Sequence, residues 1–176
     1  MGWICYLPLL SLGGVCKYSL LTLGFVCDGF ANIYYLFKSI IMATIQYVYL
    51  YLMTIPVFFL IDMVWLGWIG KDFYKEQIGY LLGPVNWSAA VIFYLLYIVG
   101  IIIFAVSPAL QAGSLGKAVL FGALFGFFAY ATYDFTNLAT VKDWPVLVTI
   151  VDLIWGTVLT GSVAAVSYYL GKTFLL

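Results

Sequence analysis

The chain has 176 residues, 66% of them hydrophobic and only 8% charged, with seven lysines set against seven acids. Soluble domains carry about a quarter of their residues as charge, so this composition cannot cover a water-exposed surface and describes an integral membrane protein. Zero net charge excludes a basic nucleic-acid face, and the lack of any His excludes His-ligated zinc, bis-His haem and a His general base.

Residues 1–41 stand apart. Lys17, Gly13-Gly14 and Asp28 interrupt their apolar run, and all three cysteines, Cys5, Cys16 and Cys27, lie here. An 11-residue repeat is visible as "ICYLPLLSLGG", "VCKYSLLTLGF" and "VCDGFANIYYL". Eleven residues make about three helical turns, which would put the thiols on one face as a stripe or an anchor. No basic residue precedes the apolar stretch as it would in a signal peptide. Cysteine usage stops abruptly after this segment, so it reads as an extension upstream of a start at Met42. The body beyond it has no thiol for a disulfide or a Cys metal site.

A spanning helix needs about 20 mostly apolar residues, and four stretches qualify. The first is Ile45 to Ile69, with Pro56 expected to kink it. The loop "GKDFYKEQIGYLLGP" follows, and Asn86 is placed to cap the second span, Trp87 to Val106, which Ser107-Pro108 should end. The third span is Ala118 to Thr140. "VKDWP" then makes a tight connection, with Asp143 a candidate N-cap and Pro145 suited to a first helical turn. The fourth span is Val146 to Leu170. Short connections between these spans predict an all-α fold, an integral membrane four-helix antiparallel bundle with an extra apolar N-terminal segment. Side A is the side on which the first span begins; side B carries residues 70–86 and 141–145. Lys38, Lys117 and Lys172 fall on side A and Lys71, Lys75 and Lys142 on side B, so lysine placement sets no orientation.

Three acids sit inside spans. Asp62 lies seven residues before the side B end of the first span. Asp134 lies six before that of the third, and Asp152 six after the side B start of the fourth. At 1.5 Å per residue, all three are roughly 9–11 Å inside one interface. No lysine lies at that depth, and an Asp side chain is too short to reach out to water. Acids within spans face the bundle interior and mark binding or relay sites. Their charge needs a proton or a bound cation to balance it. The competing reading makes them hydrogen-bonding glue between helices. Such bonds are often worth only about 0.6 kcal/mol in membranes, a small return for three buried acids. Neighbours at helical spacing complete a candidate pocket for a proton, a cation or the head of an amphiphile: Asp62, Trp65, Tyr130, Tyr133, Asp134, Asn137, Thr140, Asp152 and Trp155. Tyr94 and Tyr97 of the second span could reach it. Stripes of small residues lead to the layer. Ala118, Gly122, Gly126 and Ala129 run along the third span, with Gly122 and Gly126 forming a GxxxG pair. Gly156, Thr160, Ala164 and Ser167 run along the fourth.

From residue 42 onward the chain resembles a bacterial membrane-protein family catalogued as domain of unknown function 2177. The resemblance is carried by "FLIDMVWLGWIGKDFYKEQIGYLL", "AVIFYLLYIVGIIIFAV", "GALFGFFAYATYDFTNLATVKDWP" and "IVDLIWGTVL". It implies a four-helix membrane domain, a bacterial inner-membrane location and no established activity. Genes of that family often lie beside lipid-modification genes, which suggests a tie to lipid metabolism. It assigns no site residue and no cofactor.

Three functions compete on these residues. The first is a small binding or transport module holding a proton, a cation or a lipid-like amphiphile in the acidic layer. A homodimer would be expected of so small a transporter, with the GxxxG stripe available for that contact. The second is a membrane enzyme modifying lipid, with the carboxylates acting as acid and base. No GxSxG or DxxxD pattern supports it. The third is a structural accessory subunit of a lipid-modifying system. The partners expected in any case are the bilayer and a lipid or amphiphile ligand, with no nucleic acid.

Overall fold

The computed structural model describes residues 23–175, and the side chains of residues 33–42 and 44–175. Cys5, Cys16 and most of the 11-residue repeat lie outside the described residues, and the Cys27 side chain lies outside those described. The chain divides into two units, Met1–Met42 and Ala43–Leu176. In the first, the described side chains, residues 33–42, are all exposed.

The described residues form helices and turns, with no strand among them. Helix α1 (Leu23–Val64) runs through Pro56 and ends in a π-helical turn, Trp65–Ile69. Helix α2 (Lys71–Ile78) follows, then a 3-10 turn, Gly79–Leu81. Helix α3 (Trp87–Ile101) passes through a second π-helical turn, Ile102–Val106, into the short α4 (Ser107–Gln111). Helices α5 (Leu115–Thr140) and α6 (Val146–Phe174) complete the chain. Four segments are long and apolar enough to cross a membrane: Ile33–Ile69, Trp87–Gln111, Leu115–Thr140 and Val146–Phe174.

Local chemistry sets most boundaries. The Asn86 side chain accepts from the Ala89 N–H at 3.2 Å and caps α3 as expected. Ser114 does the same for α5 through the Lys117 N–H, at 3.4 Å. Several boundaries differ from the sequence reading, the first span beginning at Ile33 and the last helix running to Phe174. Ser107-Pro108 does not end the second span. The π-helical turn widens the backbone there, and Pro108 falls in the first turn of α4, where a missing N–H costs little. Asp143 does not cap α6. It adopts φ +59° within the turn, and Pro145 holds the cap position with no side-chain bond. Residues 71–78, read as loop, form α2.

Helix α6 is the most enclosed of the four spans, and the other helices pack around it. Helix α5 lies along it at close range. A Cβ at Gly122 would meet Ala164 Cβ and the Thr160 carbonyl, and one at Gly126 would fall on the Gly156 carbonyl. The GxxxG pair therefore serves the α5–α6 contact inside the chain. Helix α1 packs through larger side chains, with Leu50, Thr54, Phe58 and Asp62 forming a buried stripe four residues apart. Phe58 meets the rings of Tyr94 and Tyr97 at 5.5 and 5.8 Å, and Thr54 pairs with Ser167 Oγ at 3.0 Å. Tyr97 pairs with Thr160 at 2.8 Å. Between these hydroxyl pairs the interior is apolar, built on Phe58, Ile98, Ile101, Leu159 and Val163.

Candidate functional site

The acid layer begins where this apolar interior ends. Three of the four spans each deliver one carboxyl to it. Asp134 is 0% exposed, Asp62 2% and Asp152 8%. Each follows from helical spacing. Asp62 continues the Leu50, Thr54, Phe58 stripe, and Asp152 lies one turn before Gly156. Asp134 ends a strict four-residue seam of Ala118, Gly122, Gly126 and Tyr130. Tyr130 reaches the layer because Gly156 lacks a side chain: a Cβ there would strike the Tyr130 ring. The Tyr130 hydroxyl lies within electrostatic range of Asp62 and Asp152.

The three acids differ in what surrounds them. The Asp152 Oδ1 accepts from the Tyr74 hydroxyl, which in turn accepts from Trp65 Nε1 at 3.1 Å. Asp62 is faced by the Tyr94 hydroxyl and the Trp155 indole, but its Oδ2 and Trp155 Nε1 both lack hydrogen-bond partners. Asp134 has no partner at either oxygen, and the Asn137 amide nitrogen has none either. Asp134 lies within electrostatic range of Asp152. No lysine figures among the charges acting on any of the three. Buried polar groups are hydrogen-bonded in more than nine cases in ten, so a buried carboxyl with two bare oxygens is an exception that calls for a cause. Among the described residues no three acids or thiols converge closely enough to hold one metal ion.

Trp65 and Trp155 roof the layer as a stacked pair, with centroids 4.4 Å apart and planes within 9°. The π-helical turn at Trp65–Ile69 carries the Trp65 ring to that position, and Gly70 leaves room for it: a Cβ there would meet Tyr74 Cε2 at 2.8 Å and Trp65 Nε1 at 3.0 Å. Tyr74 comes from α2, which lies over the side B end of the layer. Its phenol is held above the ordinary value of about 10 by burial first and by its bond to Asp152 second. The raised value keeps the hydroxyl protonated, so the bond to Asp152 persists at neutral pH. It weakens only as pH climbs past 10 toward the shifted value. A second contact on this side, Tyr80 OH donating to the Asp143 carbonyl at 2.6 Å, joins the two side B connections.

The structure thus brings together Asp62, Trp65, Tyr130, Asp134, Asp152 and Trp155, with Asn137 one turn beyond Asp134. Two residues expected beside them lie elsewhere. Tyr133 is 59% exposed and meets Trp144 edge-on at 6.0 Å. Thr140 faces outward and returns its hydroxyl to the Thr136 carbonyl at 2.7 Å. The cause is the four-residue step of the α5 seam, which passes from Gly126 through Tyr130 to Asp134 and leaves Tyr133 about 100° away. Tyr74 and Tyr94 complete the layer. Tyr94 faces Asp62, as its place on the second span predicts, and Tyr74 comes from a segment the sequence reading treats as loop. The signal for Tyr74 was present: Phe73, Tyr74, Gln77 and Ile78 are half-buried while Lys71, Asp72, Lys75 and Glu76 are exposed, an alternation with helical period.

Four apolar helices enclosing a layer of acids define a multi-pass helical membrane protein. The chain belongs to the family described as Predicted membrane protein (DUF2177), which it matches over residues 47–169. No curated protein and no solved structure matches it.

Proposed function

We propose that this protein is a small membrane binding module whose carboxyl layer receives a positively charged group from side B, either a proton or the ammonium end of a lipid-like amphiphile. The observation that carries the reading is Asp134, wholly buried with both oxygens unpartnered. A carboxylate left bare in a low-dielectric interior is costly, and a proton or an N–H-bearing cation removes that cost. Asp62 Oδ2 offers a further free acceptor.

Infrared difference spectroscopy on the full chain in nanodiscs tests this. Adding a long-chain primary amine should perturb a carboxyl C=O band. The band should vanish from the difference spectrum of Asp134→Asn, with helix content by circular dichroism unchanged. The same response in both proteins would remove Asp134 from the site.

A further inference from the structure

We propose that α2 is a lid over the carboxyl layer, that the Tyr74 hydroxyl is its latch, and that a primary ammonium group releases it by taking the Tyr74 position on Asp152. The inference rests on reading the layer as a binding site and adds how that site is reached and what it selects.

The burial, contacts and hydrogen bonds of α2 support the lid. Helix α2 has no buried residue, and it touches chiefly the turns on either side of it. Its outer face, Lys71, Asp72, Lys75 and Glu76, is exposed. Glycines flank it, Gly70 at its start and Gly79 at its end. A segment with so little apolar burial opens at low cost. Its inward hydrogen bonds are those of one hydroxyl, which donates to Asp152 and accepts from Trp65.

The direction of approach follows from what lies on the other side of the layer. Toward side A, Phe58, Ile98, Ile101 and Leu159 are at most 1% exposed. The hydroxyls there are already paired with one another. Nothing on that side can supply the donors that Asp134 lacks, and on side B the segment lying over the layer is α2, through Tyr74.

The chemistry of the occupant follows from counting acceptors. Asp134 offers two bare oxygens, and Asp152 offers the oxygen now held by Tyr74. Asp134 lies within electrostatic range of Asp152, and Tyr74 is bonded to Asp152. A primary ammonium carries three N–H donors for these three oxygens. A quaternary ammonium carries the same charge and no donor, so it neither satisfies Asp134 nor replaces Tyr74.

Hydrogen–deuterium exchange on the full chain in nanodiscs tests the lid through the amides of residues 71–78. Octadecylamine should raise their exchange about tenfold, the scale set by losing one hydrogen bond to a charged group. The trimethylammonium compound of the same chain length should leave them unchanged. Tyr74→Phe should exchange fast with no amine present and gain nothing from adding it, while α3 amides exchange as in the native protein. The lid is overturned if Tyr74→Phe matches the native protein at residues 71–78, if α3 loosens equally, or if both amines act alike. An Asp134 infrared response that survives while α2 stays shut would remove the lid and leave the site. Loss of that response would remove the site itself.

Discussion

With neither oxygen partnered, Asp134 contributes no hydrogen bond to the α5 position it occupies. Asp152, one helix away, is tied to Tyr74 and through it to Trp65. The same substitution should therefore act in opposite senses at the two sites. Asp134→Leu removes an unsatisfied buried group and fills the space with carbon. It should raise stability by about 1–3 kcal/mol, the usual cost of such a group, while ending amine binding. Asp152→Leu leaves the Tyr74 hydroxyl without its acceptor and should cost a similar amount. Thermal unfolding in mild detergent reads both. A fall in stability for Asp134→Leu would mean that its carboxyl glues helices together, and the binding reading would lose its main support.

At the scale of the helix, the close approach of α5 and α6 depends on carbon atoms that are absent. A Cβ at Gly126 would land on the Gly156 carbonyl and on Thr160, where backbone cannot swing aside. Gly126→Ala should force the helices apart and destabilise the fold by about 1–3 kcal/mol, as overpacking does. Gly67→Ala, with nothing within 4 Å of the added carbon, should change little. Equal effects in the two variants would refute the α5–α6 seam. This seam shows how much was legible beforehand. The four spans are readable from apolar length, and the α6 stripe from Gly156 to Ser167 from its small and polar residues, all buried as spaced. The α5 stripe was readable only as far as Gly126. Beyond it, steps of three and of four are both helical, and only the facing groove at Gly156 selects Tyr130 over Tyr133. The span end at Pro108 was misplaced because a π-helical turn leaves no mark in composition. Helix α2 was hidden by its charges, which resemble those of a loop until their period is counted.

Across the whole molecule, the acids converge near side B while the rest of the interior toward side A is closed by apolar packing and paired hydroxyls. That asymmetry has an electrical consequence. A sealed interior lets the field across the membrane fall through protein, so a cation moving from side B to the carboxyl layer crosses part of the voltage. The layer lies about a third of the way through a hydrocarbon core of about 30 Å. Carrying one charge across the full thickness is worth about 2.3 kcal/mol per 100 mV, so this journey is worth roughly 0.8 kcal/mol. Making side B positive by 100 mV should tighten amine binding about three- to fourfold, and reversing the polarity should weaken it equally. Binding measured in proteoliposomes under an imposed potassium diffusion potential reads this directly. An affinity that ignores the voltage would place the layer in continuous contact with water. A dependence of the expected size would place the layer inside the membrane field.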